Sequence, residues 1–303
     1  MNKLAVNIAG VEFKNPVIAA SGCYGFGMDY RDFYPVERLG GISLKGMTYE
    51  VRQGNPPPRI AETPAGMLNS VGLQNPGVKA FKSSYLPAVS KLDTVIIANI
   101  AGHDLDSYAA IAAELEDTPI DMLELNISCP NVKEGGAAFG TSCDIAAAVT
   151  RAVRQKTTKP LMVKLSPNVT DIVSIAKAVE AEGADAISLI NTLLGMRIDR
   201  KTRRPILKNN VGGLSGPAVF PVAVRMVWQV AGAVSVPVVG MGGISTWEDA
   251  VEMMMAGASA VQIGAAMFRD PYCPVKVIEG LERYAEEERL SSIREIVGAV
   301  RPW

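Results

Sequence analysis

The sequence predicts an α/β protein: a (β/α)8 barrel with active-site insertions at its C-terminal mouth. Three observations predict it. Eight short apolar runs recur along the 303 residues. Most are apolar at successive positions rather than alternating, as parallel strands buried on both faces must be. Helical patterns separate most of the runs, and repeated strand–helix alternation builds a closed barrel ringed by helices. A doubly wound sheet is the competing architecture. Its dinucleotide signal, G-x-G-x-x-G, is missing after every candidate strand, and "GCYGFG" at 22–27 has the wrong spacing. The length suits one large barrel, so residues 1–303 are expected to form a single domain.

The predicted strands are "VIAA" (17–20), "GISLK" (41–45), "VIIANI" (95–100), "MLELNIS" (122–128), "LMVKLS" (161–166), "AISLIN" (186–191), "VPVVGMGG" (236–243) and "AVQIGAA" (260–266). Between them, 104–117 has helical spacing with acidic residues at both ends. Segment 143–157 ends in basic residues, which suit a helix C-terminus. Segment 170–183 opens with Thr170-Asp171 and closes with Gly183, and 246–257 also closes with a glycine. Segment 216–232 has Pro217 near its first turn. The run Met253–Met255 reads as core filler. The long insertions 46–76 and 192–215 follow strands, so both are expected over the mouth, where barrel active sites are built.

Composition narrows the chemistry. Lys plus Arg number 30 against 31 Asp plus Glu, so no global field favours nucleic acid or an anionic membrane. No long apolar run spans a bilayer and the N-terminus has no signal-like apolar region, so a cytoplasmic protein is expected. The four cysteines, Cys23, Cys129, Cys143 and Cys273, form no C-x-x-C pair, and no metal site is expected. The one histidine, His103, reads as an exposed loop or cap residue. Chemistry then rests on Cys, Lys, Asn or a cofactor.

Polar residues do fall at the strand ends: Lys45, Asn99, Asn126 with Cys129 just beyond, Lys164 with Ser166, and Asn191 with Thr192. A lysine within an apolar strand is costly unless a charge meets it. Lys164 therefore has two readings: a buried pair with Glu124, the one acid on an inner strand, or an anionic ligand. Glycine-rich segments "VGMGGIST" (239–246) and "QIGAAMF" (262–268) follow strands 7 and 8, where barrels place a phosphate against backbone N–H groups. A phosphate clamp, a buried lysine, many carboxamides and little histidine fit flavin mononucleotide (FMN), which needs a cation near the ring end that gains charge on reduction.

These motifs together resemble one family. "NISCPN" (126–131), "LNSVGLQNPG" (68–77), "LSPN" (165–168), "SLINT" (188–192) and "GMGGI" (240–244) are similar in order and spacing to the dihydroorotate dehydrogenases, across essentially the whole chain. "AASGCYGFG" (19–27), "NVKEGGAAFG" (131–140) and 196–218 look most like the class 1B catalytic subunit. Class 2 relatives carry an N-terminal helical extension and a serine base, whereas this chain has Cys129 at the base position.

The resemblance implies oxidation of (S)-dihydroorotate to orotate in pyrimidine biosynthesis, with hydride from C6 to FMN and a proton from C5 to Cys129. It implies a substrate site of Lys45, Asn69, Ser70, Val71, Gly72, Leu73, Asn126, Asn131, Asn191 and Thr192. Ser21, Lys45, Gly46, Asn99, Asn126, Lys164 and Ile190 would line one FMN per chain, and Gly216, Gly242, Gly243, Gly264 and Ala265 would bind its phosphate. Gly46 departs from the family pattern, in which Ser or Thr is common. By the same resemblance, electrons leave to NAD through an iron–sulfur flavoprotein partner carrying FAD and a [2Fe–2S] cluster, on a homodimer within a heterotetramer. The alternatives are a fumarate-using class 1A enzyme, a non-redox phosphate-binding barrel, and a flavin-binding subunit without turnover.

The flanking residues give Cys129 a physical reading of its own. A free thiol is in part thiolate near neutral pH and can act as a base. Asn126 and Asn131 can orient a substrate rich in amides, and Pro130 stiffens the turn. Cys23, Cys143 and Cys273 read as ordinary packed thiols.

Overall fold

The computed structural model describes residues 2–128 and 139–303. Eight parallel strands close into a barrel in chain order. They are β1 (Val17–Ala19), β2 (Gly41–Ser43), β3 (Val95–Ile100), β4 (Met122–Asn126), β5 (Leu161–Lys164), β6 (Ala186–Leu189), β7 (Val238–Met241) and β8 (Ala260–Ile263). Each lies within an apolar run read from the sequence. Closure pairs β8 with β1 through Gln262↔Ile18, so no edge strand remains unpaired in the barrel. Backbone pairing runs a little past the strand ends: Leu44 N–H donates to Ile97 O, Leu165 N–H to Ser188 O and Ile190 N–H to Met241 O. The residues after each strand are thereby held at the mouth.

The outer ring is α1 (Val78–Ser84), α2 (Leu86–Val89), α3 (Leu105–Leu115), α4 (Cys143–Arg154), α5 (Ile172–Ala181), α6 (Phe220–Ala231), α7 (Trp247–Met255) and α8 (Cys273–Glu287). Side-chain caps start three of them. Asp104 accepts from Ser107 N–H, Asp171 from Val173 and Ser174 N–H, and Thr246 from Asp249 N–H. Such a cap satisfies helix donors that have no partner within the helix.

Strict alternation fails at one crossover. Between β1 and β2 the chain forms only a short 3-10 turn, Val36–Arg38. The helices α1, α2 and α8 add to the helical patterns read from the sequence. The first two are short, and Pro87 sits in the first turn of α2. In α8, Val277, Ile278, Leu281 and Ala285 form an apolar stripe at helical spacing, a signal present in the sequence.

An N-terminal hairpin, Val6–Ile8 with Val11–Phe13, lies beneath the barrel. Phe13 is buried, and a Cβ on Gly41 at the foot of β2 would come within 2.8 Å of its ring. At the opposite end, the two insertions meet. Ile60–Thr63, Gly66–Asn69, Leu193–Gly195 and Gly212–Ser215 form one four-stranded antiparallel sheet, and the insertions are joined by Asn69↔Gly213, Leu68↔Leu214 and Met67↔Ser215. Among the described residues, no helix is long and apolar enough to cross a membrane.

Gly280 lies mid-helix in α8, where glycine is a weak helix former. Its place is explained by Trp247 of α7, whose Cγ would stand 2.2 Å from an added Cβ. Gly280→Ala is therefore expected to lower stability by about 1–3 kcal/mol through overpacking. Thermal unfolding of the variant checks this, and an unchanged midpoint would mean that the α7–α8 contact yields without strain.

Candidate active site

The floor of the mouth rests on an unusual layer in the barrel. Side chains inside such barrels stack in layers drawn from alternate strands, mostly apolar and branched. Here the third residues of β2, β4, β6 and β8 are Ser43, Glu124, Ser188 and Gln262. All are buried, and Glu124 is 0% exposed. Its Oε2 accepts from Ser43 Oγ at 2.7 Å, and its Oε1 accepts from Ser188 Oγ at 2.9 Å and Gln262 Nε2 at 2.7 Å. Asn99 of β3 adds a fourth bond, Nδ2 to Oε2 at 2.6 Å.

Burial alone would raise the Glu124 carboxyl. The nearby charge of Lys164 and the donors Ser43, Asn99 and Gln262 outweigh it and hold the group below its ordinary range, so it stays ionised.

Lys164 is 6% exposed, yet among the described residues no carboxylate lies within 4.0 Å of its ammonium. The direct Lys164–Glu124 ion pair is thus not formed. Glu124 is satisfied by neutral donors, and Lys164 acts on it at longer range. Lys45 stands nearby: burial pushes its ammonium down, with Cys23 opposing and Arg59 and Lys164 adding to the fall. The two lysines influence each other, and among the described residues no carboxylate lies within 4.0 Å of either.

Several other predicted residues are tied together at the strand ends. Ser21 Oγ donates to Leu44 O at 2.6 Å, tying the β1 loop to the end of β2. A Cβ on Gly46 would meet Asn99 Oδ1 at 2.8 Å and Leu73 at 3.5 Å, so this glycine brings the β2 end, β3 and the 70–73 loop together. Asn126 Oδ1 accepts from Asn191 Nδ2 at 3.2 Å and from Ser128 N–H at 3.1 Å. Asn191 Oδ1 accepts from Thr192 N–H at 2.8 Å, and Thr192 packs on Gly213 of the insertion sheet. Asn69 lies in that sheet. Cys129 and Asn131 lie outside the described residues.

Several polar groups in the mouth have no protein partner. Among the described residues, Asn99 Oδ1 and Ser70 Oγ are buried without a hydrogen-bond partner. Among the described residues, the N–H groups of Val71, Gly72 and Leu73 donate to no protein acceptor. Gly72 and Leu73 both have positive φ, 77° and 55°. The N–H groups of Gly242, Gly243 and Gly264 are likewise free among the described residues. Added side chains would fill this second cradle. A Cβ on Gly243 would come within 2.9 Å of Gly216 O, and one on Gly242 within 3.0 Å of Ile190. Ala265 opens the short 3-10 turn after Gly264. Buried polar groups without partners are few in folded proteins, and a cluster of them in one concavity fits a ligand with donors, acceptors and negative charge.

Three features had not been singled out as functional: Ser43, Ser188 and Gln262 around Glu124. Their signal was a polar residue at the third place of each even-numbered apolar strand. Asn168 was read only as part of a motif. It bridges the β5 loop to the insertion, donating to Thr192 O at 3.0 Å and accepting from Leu194 N–H at 2.9 Å. His103 is exposed beside Asp104, as expected, and it is Asp104 that caps α3.

A family model, dihydroorotate dehydrogenase, matches residues 3–284. The chain belongs to the dihydroorotate dehydrogenase family. Relatives from Enterococcus faecalis (strain ATCC 700802 / V583) and Parabacteroides distasonis are 53% and 54% identical to it. Each match covers 99% of this chain, with 97% and 99% of the respective relative. A relative from Geobacillus kaustophilus is 53% identical over 100% of this chain and 96% of its own length. All three are named dihydroorotate dehydrogenase B (NAD(+)), catalytic subunit. A solved dihydroorotate dehydrogenase from Eimeria tenella matches with a TM-score of 0.81 and 24% identity, covering 99% of this chain and 89% of that one. That likeness bears on the fold, the barrel with its helical ring known as the TIM barrel.

Cys23 borders both lysines of this family member's mouth. Burial pushes its thiol up to about 11 against the pull of Lys164 and Lys45, and burial pushes Cys273 up to about 12. At pH 8 roughly one part in a thousand of Cys23 and about one part in ten thousand of Cys273 is thiolate, so both cysteines are expected to resist alkylation. Peptide mapping after brief treatment with iodoacetamide checks this. Fast labelling of Cys23 would mean that the lysines outweigh burial there.

Proposed function

We propose that this chain oxidises (S)-dihydroorotate to orotate as the catalytic subunit of an NAD-linked, class 1B dihydroorotate dehydrogenase. The observation that carries the reading is Lys164, a buried cation with no carboxylate within 4.0 Å among the described residues, near a second, half-buried lysine, Lys45. Such a site asks for an anionic ligand. The names of relatives at 53–55% identity, matched over nearly their whole length, support the NAD-linked class over the fumarate-using one.

The residues fit FMN. The free N–H groups of Gly242, Gly243 and Gly264, with Gly216 and Ala265, would hold a phosphate. Ser21, Lys45, Gly46, Asn99, Asn126, Lys164 and Ile190 would hold the ring and ribityl chain, with the unbonded Asn99 Oδ1 offering an acceptor. Bound FMN would supply the two-electron acceptor that the oxidation needs.

The chain's own residues do the rest. The N–H groups of Val71, Gly72 and Leu73 bind the substrate carboxylate, with Ser70 Oγ and Lys45 nearby. Asn69, Asn126, Asn131, Asn191 and Thr192 pair with the ring amides, whose donors and acceptors match carboxamides. Cys129 Sγ takes the proton from C5. The insertion sheet at the mouth would help to shield the site from water, and charges act more strongly where water is excluded. The words "catalytic subunit" in the relatives' names support a partner subunit. We place FAD and a [2Fe–2S] cluster on that partner, in a cytoplasmic heterotetramer around a homodimer of this single-domain chain.

The test is the flavin spectrum of the purified chain before and after anaerobic dihydroorotate. Bleaching is expected in wild type. In Cys129→Ala it should slow by about 10²–10⁴-fold at neutral pH, the range of general-base contributions. A flavin that stays oxidised in wild type would refute the substrate, and a chain that takes up no flavin would refute the redox reading.

A further inference from the structure

Glu124 lies one layer below the flavin site and touches nothing that would bind there, yet it decides how one site residue is presented. An ionised carboxylate has no donor. Facing Glu124 Oε2 at 2.6 Å, Asn99 can therefore place only its Nδ2 downward. The amide orientation follows from the chemistry of the carboxylate. Its Oδ1 is then forced upward, where it is buried and unbonded. It lies against Gly46, where an added Cβ would come within 2.8 Å of it. Ser43 Oγ shares the same carboxylate oxygen at 2.7 Å, and Ser188 and Gln262 hold the other, so the carboxylate itself cannot swing away.

We infer that Glu124 is a positioning residue: it locks the Asn99 carboxamide with its oxygen toward the mouth, as a fixed acceptor for a ring N–H of the bound flavin. The inference rests on the flavin reading above and deepens it. Of the ring systems that the site could take, it selects one that carries an imide-type N–H next to the edge facing Lys164. A ligand offering only an acceptor at that place would leave two buried oxygens opposed, at a cost comparable to an orphaned buried group.

The experiment is a four-cornered cycle of isosteric variants: wild type, Glu124→Gln, Asn99→Asp and the double variant. FMN affinity is read by fluorescence quenching on flavin-depleted chain, and the melting temperature of the flavin-free chain is read beside it. Asn99→Asp opposes two carboxylates and should weaken FMN by about tenfold to a hundredfold, as expected for a mispaired buried polar group. Glu124→Gln should stay within about threefold of wild type. Gln262 has an unbonded buried Oε1 that can turn to meet the new amide, leaving an acceptor for Asn99.

The double variant restores a donor below and an acceptor above, and it should recover most of the affinity lost by Asn99→Asp. Should Asn99→Asp fail to fold alone, the double variant carries the test, since it must both fold and bind FMN. Additive losses, or a double variant that melts like wild type but still binds FMN as poorly as Asn99→Asp, would overturn the positioning role alone. Failure of wild type itself to bind FMN would overturn this inference together with the flavin reading.

Discussion

The barrel is organised around one buried negative charge. Taking a carboxylate out of water costs several kcal/mol unless good hydrogen bonds replace those lost. Glu124 has such bonds from every other member of its layer and from Asn99 above. Hydrogen bonds to a charged group contribute about 1.5–3 kcal/mol each. The network thus joins β2, β3, β4, β6 and β8 through a single side chain. It also supplies the negative charge that makes Lys164 tolerable beneath the mouth without neutralising it by direct contact. An apolar layer would fill the space equally well, but it would leave Lys164 without a counter-charge and Asn99 without a fixed orientation.

Above that layer, the mouth is made of groups kept apart from one another. The amides Asn126 and Asn191 support each other, while among the described residues Asn99 Oδ1, Ser70 Oγ and the N–H groups of 71–73 have no partner. The two cradles differ in how they are built. The one at Gly242, Gly243 and Gly264 comes from adjacent strand ends. The one at 71–73 hangs from the insertion sheet, held by Asn55, whose N–H donates to Val71 O at 2.9 Å and whose Nδ2 donates to Ser70 O at 2.9 Å. Rigid strand ends set one half of the site, and a loop locked by side-chain bonds sets the other.

Most of the architecture was legible from the apolar runs. All eight barrel strands fall where runs such as "VIIANI" and "LMVKLS" place them, because a strand buried on both faces must be apolar throughout. What was not legible is equally physical. The helices α1 and α2 are too short to show a helical period, and the β1–β2 crossover, residues 20–40, is broken into turns by Gly22, Gly25 and Gly27 at positive φ. The placement of Lys45, Asn99, Asn126, Lys164 and Asn191 around one mouth followed from their positions at strand ends. The open choice at Lys164, between a pair with Glu124 and an anionic ligand, needed three dimensions. Sequence shows that both residues are on inner strands, but not that Glu124 has its bonds from Ser43, Ser188, Gln262 and Asn99.

The insertion sheet also bears on the order in which the molecule assembles. Asn69 pairs with Gly213, so its ladder joins segments from the second and sixth strand–helix units. Closing so long a loop is entropically unfavourable, and non-local pairings form late compared with contacts between successive strands. On a ribosome, the N-terminal half of this sheet emerges well before its partner exists. The barrel strands between them can pair as they appear, each with its predecessor. The ligand-binding mouth is therefore completed near the end of synthesis, and the polar groups that await a ligand stay in water until most of the core beneath them is closed.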